Sequence, residues 1–505
     1  MFASYLEALK ILFQPTNFIM MYICCLVGCV LGAIPGLSGG LGITLILPMT
    51  FALTKELSFS MLVGMYVGGV SGSFIAAVLV GIPGSAASIG TCYDGYPMTR
   101  NGQAAKALSI GITGSFIGTV VSIIVAMLCS GAIADVALSL GPWEYFSLCL
   151  MAITMVVGLS NGSIYKGLLA AFIGFFLAMI GTDKVTNQMR FTFGNTNLYS
   201  GINMICLLMG TFALQQVATA YAKGQQEMPP VDTKSLKGFG LTLHDFTSNL
   251  KTIIVSLVIG LFIGFLPGMG SGISNLIAYG QAKKMDKHPE KFGTGYDPGI
   301  WAAEVSNNAG VGGALIPMIS LGIPGDATTV LLLSAMTIKG LTAGPMFIKT
   351  NPVVAALIFL IVLVSAILIF FTELGTKRWF PYLLKAPYHY LFSAILMICF
   401  MGAFTANTSM FSVYLMIGFG LLGVVMDMFG MPMTPLMLAF ILGPKIEEYF
   451  RTGVSYARGD YTRFLTRPIS LIIILVAVYS VVGPVITKAI KNRRAAKKQE
   501  KLQDS

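Results

Sequence analysis

Charged residues in this chain fall in clusters separated by long apolar runs. Between Lys10 and Lys55 no side chain is charged. Further charge-free runs cover residues 57–93, 107–134, 145–165, 191–222, 252–282, 351–372, 386–426 and 468–487. A helix crossing a bilayer needs roughly 20 predominantly apolar residues. Each run therefore has room for one crossing, and several have room for two, or for one crossing and a half-crossing. The pattern predicts an all-α polytopic membrane protein with about a dozen membrane segments.

Several of these runs are interrupted by glycine and proline, and the interruptions recur. Gly32-Ala-Ile-Pro35-Gly36-Leu-Ser38-Gly39-Gly40 returns as Gly264-Phe-Leu-Pro267-Gly268-Met-Gly270-Ser271-Gly272, 232 residues later. Gly69-Val-Ser-Gly72, followed by Gly81-Ile-Pro83-Gly84-Ser85, returns as Gly310-Val-Gly-Gly313, followed by Gly322-Ile-Pro324-Gly325-Asp326, 241 residues later. The offset grows because the polar insert Lys283–Pro298 is longer than its counterpart. Matched interruptions in the same order predict two related halves. The first spans residues 1–225 and the second 251–487, joined by a polar linker at 226–250 and followed by a tail at 488–505. Parallel or inverted pairing depends on the number of spans per half. Inverted pairing is the commoner arrangement in broken-helix transporters and is expected here.

An unsatisfied backbone group in hydrocarbon costs several kcal/mol, so irregular backbone is confined to protein interiors and wet cavities. Proline ends a helix and glycine lets the chain turn and approach a ligand. The breaks at Pro35–Gly36, Pro83–Gly84, Pro267–Gly268 and Pro324–Gly325 thus predict helix ends inside the membrane, whose N–H groups suit an anion. The expected substrate-binding residues are Ser38, Gly39 and Gly40, with Gly270, Ser271, Gly272 and Asn275 in the second half. Ser85, Ala86 and Ala87 join them, with Ala327, Thr328 and Thr329 in the second half. Asn307, Asn308 and Asp326 carry oxygen ligands of the kind a small hard cation such as Na⁺ prefers. Intramembrane ionisable residues are functional candidates, which adds Glu304 and Asp427. Simpler readings stand beside these. Glycines let helices pack closely, Glu304 caps or pairs near an interface, Asp326 caps the helix that follows, and Asp427 is interfacial.

Composition agrees with the pattern. The 505 residues are 55% hydrophobic and 10% charged, against about 25% charged in soluble domains, and mean hydropathy is +0.80. No polar stretch is long enough for a soluble catalytic domain, and the N-terminus lacks the basic start and small-residue site of a cleavable signal. The net charge of +11 is concentrated in the tail, with Lys488, Lys491, Arg493, Arg494, Lys497, Lys498 and Lys501. The positive-inside rule puts that tail in the cytoplasm, and beside so much membrane sequence it does not argue for nucleic acid. The eight cysteines lie in or beside apolar runs without a C-x-x-C spacing and read as small buried apolar residues. His244, His288 and His389 have no metal-ligand spacing.

The Pro-Gly blocks, the segment Asp94-Gly95-Tyr96-Pro97-Met98 with Gly102-Gln103-Ala104, and Glu304 with Asn307-Asn308-Ala309 and Gly322-Ile-Pro-Gly325 resemble the large membrane subunit of the tripartite tricarboxylate transporters. The resemblance runs from about residue 15 to 485. It implies secondary active import of a carboxylate, such as citrate or another di- or tricarboxylate, across the bacterial inner membrane. It further implies a Na⁺ or H⁺ gradient, with Na⁺ expected and no cofactor. The implied partners are a small four-helix membrane subunit and a periplasmic solute-binding protein. An elevator-like movement of the broken-helix block is the expected mechanism.

Two rival readings are weaker. An anion channel selects with rings of carbonyls or charges, and two non-identical halves suit alternating access better. An intramembrane serine protease is suggested by Gly36-Leu-Ser38-Gly39-Gly40, but the hydroxyl then needs a base, and the repeat has Gly270 where Ser38 stands. The topology is testable. Ser505→Cys in intact cells is expected to resist an impermeant thiol reagent, and labelling at that position would overturn a cytoplasmic tail.

Overall fold

A computed structural model of the protein describes residues 2–159, 163–183, 186–224, 236, 238–384 and 388–483. The tail at 488–505, much of the 226–250 linker, and the side chains of Ser271 and His389 lie outside the described residues. The chain begins with α1 (Phe2–Leu12), α2 (Pro15–Ala33), α3 (Gly39–Ile46), α4 (Lys55–Gly72), α5 (Phe74–Val80), α6 (Ile89–Arg100) and α7 (Ala104–Leu138). Next come α8 (Pro142–Leu159), α9 (Ile164–Ala178) and an antiparallel pair, β1 (Gly181–Thr182) with β2 (Met189–Arg190). A π-helical stretch joins α10 (Met204–Leu208) to α11 (Gln215–Lys223). After the linker follow α12 (Leu243–Ser248), α13 (Leu250–Phe265), α14 (Gly270–Met285), α15 (Asp297–Leu321), α16 (Ala327–Ile338), α17 (Phe347–Thr350) and α18 (Pro352–Thr376). The described chain closes with α19 (Phe380–Leu384), α20 (Tyr388–Asn407), α21 (Met410–Met428), α22 (Met433–Tyr456) and α23 (Arg463–Thr466), then an apolar helix over Pro468–Gly483.

This is an all-α polytopic membrane protein. Among the described residues seven helices are long and apolar enough to cross a membrane, and five shorter apolar helices accompany them. Two of the shorter ones, Leu250–Phe265 and Ala327–Ile338, are short because a Pro-Gly break ends one and precedes the other.

The chain packs as two compact units. One comprises Met1–Leu138 and Asn203–Val425, the other Ser139–Ile202 and Met426–Ser505. In the second unit α22 lies against α8 and α9. A Cβ on Gly174 would fall 2.1 Å from the Leu436 carbonyl oxygen, so the α9–α22 contact requires glycine. Arg190 bonds Glu447 at 2.9 Å and also Asp183, and Arg451 joins Asp183 at 3.0 Å.

The first unit contains all four Pro-Gly breaks and builds the same contacts twice. Gly28 and Gly32 of α2 press on the Met65 and Gly69 carbonyls of α4, where a Cβ would come within 2.4 and 2.3 Å. Gly260 and Gly264 of α13 press on the Ser306 and Gly310 carbonyls of α15, with 2.3 and 2.6 Å for the same atoms. The glycine pairs are 232 residues apart and the carbonyl pairs 241. The offsets that relate the sequences also relate the packing. These are small-residue interfaces of the membrane kind, where close backbone approach replaces a hydrophobic driving force. Outside them, α15 packs on α7 and α4 on α18. Lys106 at the start of α7 holds Asp297 of α15 at 2.6 Å and Asp245 of α12 at 2.9 Å.

The glycine interface sets a prediction. A Cβ on Gly68 would sit 1.9 Å from the Cys25 carbonyl oxygen, whereas one on Gly375 meets nothing within 4 Å. Gly68→Ala is expected to cost about 1–3 kcal/mol, the usual cost of overpacking. Gly375→Ala is expected to be neutral or slightly stabilising. Melting temperature of the purified protein checks both, and equal melting temperatures would contradict the packing account.

Candidate functional site

The four interruptions are written into the backbone. Gly36 and Gly268 have φ of 84° and 74°, and Gly81 and Gly322 have 73° and 71°. Left-handed backbone of this kind is ready only for glycine, and it recurs at matched positions of the repeat. Three of the four helical restarts are capped by a side chain. Ser38 accepts from the Leu41 N–H at 3.3 Å, and Ser85 accepts from the Ala87 N–H at 3.3 Å. Asp326 Oδ1 accepts from the Thr329 N–H at 2.6 Å and from its hydroxyl at 2.8 Å. The fourth restart, α14, has Met269 at its cap position and no side-chain cap among the described residues.

The restarts converge in the interior of the first unit. Within the second half the Gly268 N–H donates to the Gly325 carbonyl at 2.7 Å. Within the first half a Cβ on Gly84 would fall 2.3 Å from the Gly32 oxygen. Two further contacts cross between the halves. Gly40 faces Leu331 and Thr328, and Gly272 faces Ala86. Asn275 braces the second of these. Its Oδ1 accepts from the Gly90 N–H at 3.0 Å, and its Nδ2 donates to the carbonyls of Ala86 and Gly272 at 3.2 and 3.0 Å. At the first, the Tyr66 hydroxyl donates to Asp326 Oδ2 at 2.9 Å. Ser38 donates to Gln216 Oε1 at 3.2 Å, so the hydroxyl named in the protease reading serves as a cap and a bridge. Gly39 packs on the Gly69 Cα, Ala87 and Thr329 are buried, and Ala327 and Thr328 are half-buried.

The three oxygen-bearing residues suggested for a cation have different partners. Asp326 is taken up by Tyr66 and Thr329. Asn308 belongs to a buried polar cluster around Glu304. There Thr91 donates to Glu304 Oε1, Ser115 donates to Oε2 at 3.2 Å, and Asn308 Nδ2 donates to Ser115 Oγ at 2.9 Å. Thr119 donates to Asn308 Oδ1 at 3.4 Å. Glu304 is 0% exposed, at the start of the polar stretch of α15, and pairs there with hydroxyls of α6 and α7. Asn307 is also 0% exposed, and its side chain adjoins the Glu304 carboxylate. Asp427 is exposed at the end of α21.

Several participants escape sequence reading. Thr91 and Ser115 lie inside apolar runs and carry no charge to mark them. Glu373 is 2% exposed and accepts from the Cys29 thiol at 3.4 Å. It closes a charge-free run and so reads as a boundary. Tyr66 was within reach, because it stands 241 residues before Asn307. Asp94, part of the segment that carries the resemblance, has a bracing role. Its Oδ1 accepts from the N–H groups of Gly293, Gly295 and Tyr296 at 2.8–2.9 Å, and its Oδ2 accepts from Tyr279 at 2.8 Å. It pins the polar insert that precedes α15. Six cysteines are buried, Cys92 is half-buried and Cys129 is exposed, which corrects the buried reading for that one. A surface cavity of about 380 Å³ has Lys339 in its wall. The Lys339 ammonium already donates to the carbonyls of Thr50, Phe51 and Leu53, so it is not a free anion ligand.

Comparison with known proteins agrees with this geometry. The profile of the tripartite tricarboxylate transporter TctA family matches residues 18–438. An uncharacterized 52.8 kDa protein in the TAR-I ttuC' 3'region of Agrobacterium vitis is 33% identical over 412 residues, which cover 81% of this chain and 82% of that protein. An uncharacterized protein in the TAR-II ttuC' 3'region of the same organism is 34% identical over 211 residues, 42% of this chain and 87% of that protein. No solved structure matches. With four broken helices meeting in the interior of an all-α membrane protein, and a family profile matched across most of its length, the chain belongs to the tripartite tricarboxylate transporter TctA family.

Proposed function

We propose that this chain is the large membrane subunit that carries a carboxylate, a tri- or dicarboxylate such as citrate, across the bacterial inner membrane. A periplasmic binding protein delivers the substrate and a small four-helix membrane subunit accompanies the chain. A cation gradient, Na⁺ or H⁺, drives uptake. The observation that carries this reading is the convergence of four interrupted helices from two repeated stretches in one place. Helix N-termini there offer N–H groups to an anion, as discontinuous helices do in transporters.

For the coupling cation, sequence reading offers Asn307, Asn308 and Asp326. With Asp326 engaged by Tyr66 and Thr329, the arrangement favours Asn308 beside Glu304 as the oxygen set that takes up H⁺ or Na⁺. The block carrying the breaks then moves, elevator-like, to expose the site to each side in turn.

Uptake of radiolabelled citrate into vesicles containing the chain and its small partner subunit tests the reading. The expected result is uptake that needs both a Na⁺ gradient and the cognate binding protein. Uptake that ignores both would overturn the mechanism, and absence of uptake would remove citrate as substrate. Glu304→Gln keeps the shape of the side chain and removes its charge. It is expected to lower gradient-driven uptake by about tenfold or more, since intramembrane carboxylates are retained for function. Unchanged uptake with a normal cation dependence would remove Glu304 from the coupling site.

A further inference from the structure

Glu373 is a second buried carboxyl of the first unit. It stands near the end of α18 and is 2% exposed. Its one described hydrogen bond comes from the Cys29 thiol of α2, 3.4 Å from Oε1. It also lines a narrow crevice between α4, α7 and α18, together with Ser71, Ser115, Thr119, Ile369 and Phe370. The crevice is too tight to admit water.

The groups around Glu373 do not balance a charge. α2 brings the Cys29 thiol and, within the field of the carboxyl, the Cys25 thiol. α15 brings Glu304, whose charge reaches Glu373. α4 and α7 bring the hydroxyls of Ser71, Ser115 and Thr119. Lys377 is one turn further along α18, but its ammonium donates to Ser109 of α7 at 3.0 Å. Arg378 is exposed. On α1, Glu7 and Lys10 are exposed and Tyr5 is half-buried. Lys55 and Glu56 stand at the opposite end of α4 from Ser71, and Lys349 pairs with Asp135 before α18 begins. Among the described residues no Lys, Arg or His forms an ion pair with Glu373.

A buried charge is costly unless it is paired and hydrogen-bonded, and a carboxyl that lacks both is neutralised by a proton. Glu304 is placed differently, because Thr91, Ser115 and Asn308 all donate to it. Two carboxyls within one another's field do not both ionise readily. The one with more donors keeps the charge and the other keeps the proton. A cation such as Na⁺ needs several oxygens around it, and the crevice admits no water to supply them. A proton needs one oxygen.

We propose that Glu373 is a proton-carrying site, separate from the Glu304–Asn308 cluster and joined to it by the crevice past Ser115 and Thr119. With the crevice closed Glu373 is a neutral acid. Its proton comes from water when the crevice opens to one side of the membrane and returns to water when it opens to the other, so one O–H bond forms and breaks. Ser115 belongs to both places, since it donates to Glu304 Oε2 and lines the crevice that ends at Glu373. The proposal rests on the transport reading above and assigns the proton of the cycle to α18.

Glu373→Gln keeps the shape of the side chain and has no proton to exchange with water as an acid does. The full-length chain with its small subunit is used throughout, and Glu373→Met replaces the glutamine variant if that one is not produced. Infrared spectroscopy at neutral pH reads the carbonyl stretch of neutral carboxylic acids and needs no transport. The difference between wild type and Glu373→Gln is expected to contain one such band, and the difference between wild type and Glu304→Gln none. A first difference without the band would mean an ionised Glu373 and would overturn the proposal. Uptake of radiolabelled citrate, with binding protein and a fixed Na⁺ gradient, is then followed against pH. Wild-type uptake is expected to change by up to about tenfold per pH unit, the limit for one proton, and that of Glu373→Gln by less than about twofold. An unaltered pH dependence in the variant would also overturn the assignment. Were the wild type to show no uptake, the transport reading would fall, and the infrared band would still decide whether Glu373 holds a proton.

Discussion

A helix that stops inside a bilayer leaves N–H and C=O groups with no water to meet, and everything in the first unit is arranged around that constraint. Its four interruptions lie against neighbouring backbone, with Gly36 and Ala86 left at an exposed edge. Glycines at left-handed φ make the turns, and caps from Ser38, Ser85 and Asp326 take the first N–H groups of three restarts. The glycine-to-carbonyl contacts of α2 with α4 and α13 with α15 bring the walls close enough to exclude lipid. The glycines therefore divide into two kinds by their geometry. Those at Gly28, Gly32, Gly260 and Gly264 serve close packing, and those at Gly36, Gly81, Gly268 and Gly322 serve the turns.

The two stretches have kept their backbone contacts and diverged in chemistry. α15 carries Glu304, Asn307 and Asn308 where α4 carries Val63, Tyr66 and Val67. The polar residues of α15 are buried and gathered with Thr91 and Ser115 into one cluster, while the matching face of α4 contributes a single hydroxyl. A duplicated scaffold supplies the geometry in both places, and side-chain differences at a few matched positions decide which place is polar.

The architecture was legible because its signals are strong. Charge-free runs mark the membrane segments, and Pro-Gly breaks at fixed offsets mark both the repeat and the place where chains converge. The partners of the site residues were less legible. Asn308 and Asp326 both read as cation ligands, but which oxygens face each other depends on helix rotation, and a sequence does not state it. Asn275 read as a ligand and acts as a brace between α14 and the start of α6. Asp326 had two readings, and the cap is the one its geometry displays. Glu373 was hidden by the rule used to find spans, since a charge that ends an apolar run is taken for its edge even when the helix continues past it.

The braces between α6 and α14 limit what this contact between the halves can do. Asn275 ties α14 to the Gly90 amide and the Ala86 carbonyl, and one turn further along each helix Tyr279 holds Asp94. Asp94 in turn fastens the loop that leads into α15. Two helices that belong to different stretches of the chain are thus lashed at successive turns. Splaying them apart would break several hydrogen bonds together, while tilting them as a pair breaks none of these. The pair thus has the freedom of a single lever, its two helices tilting together or not at all.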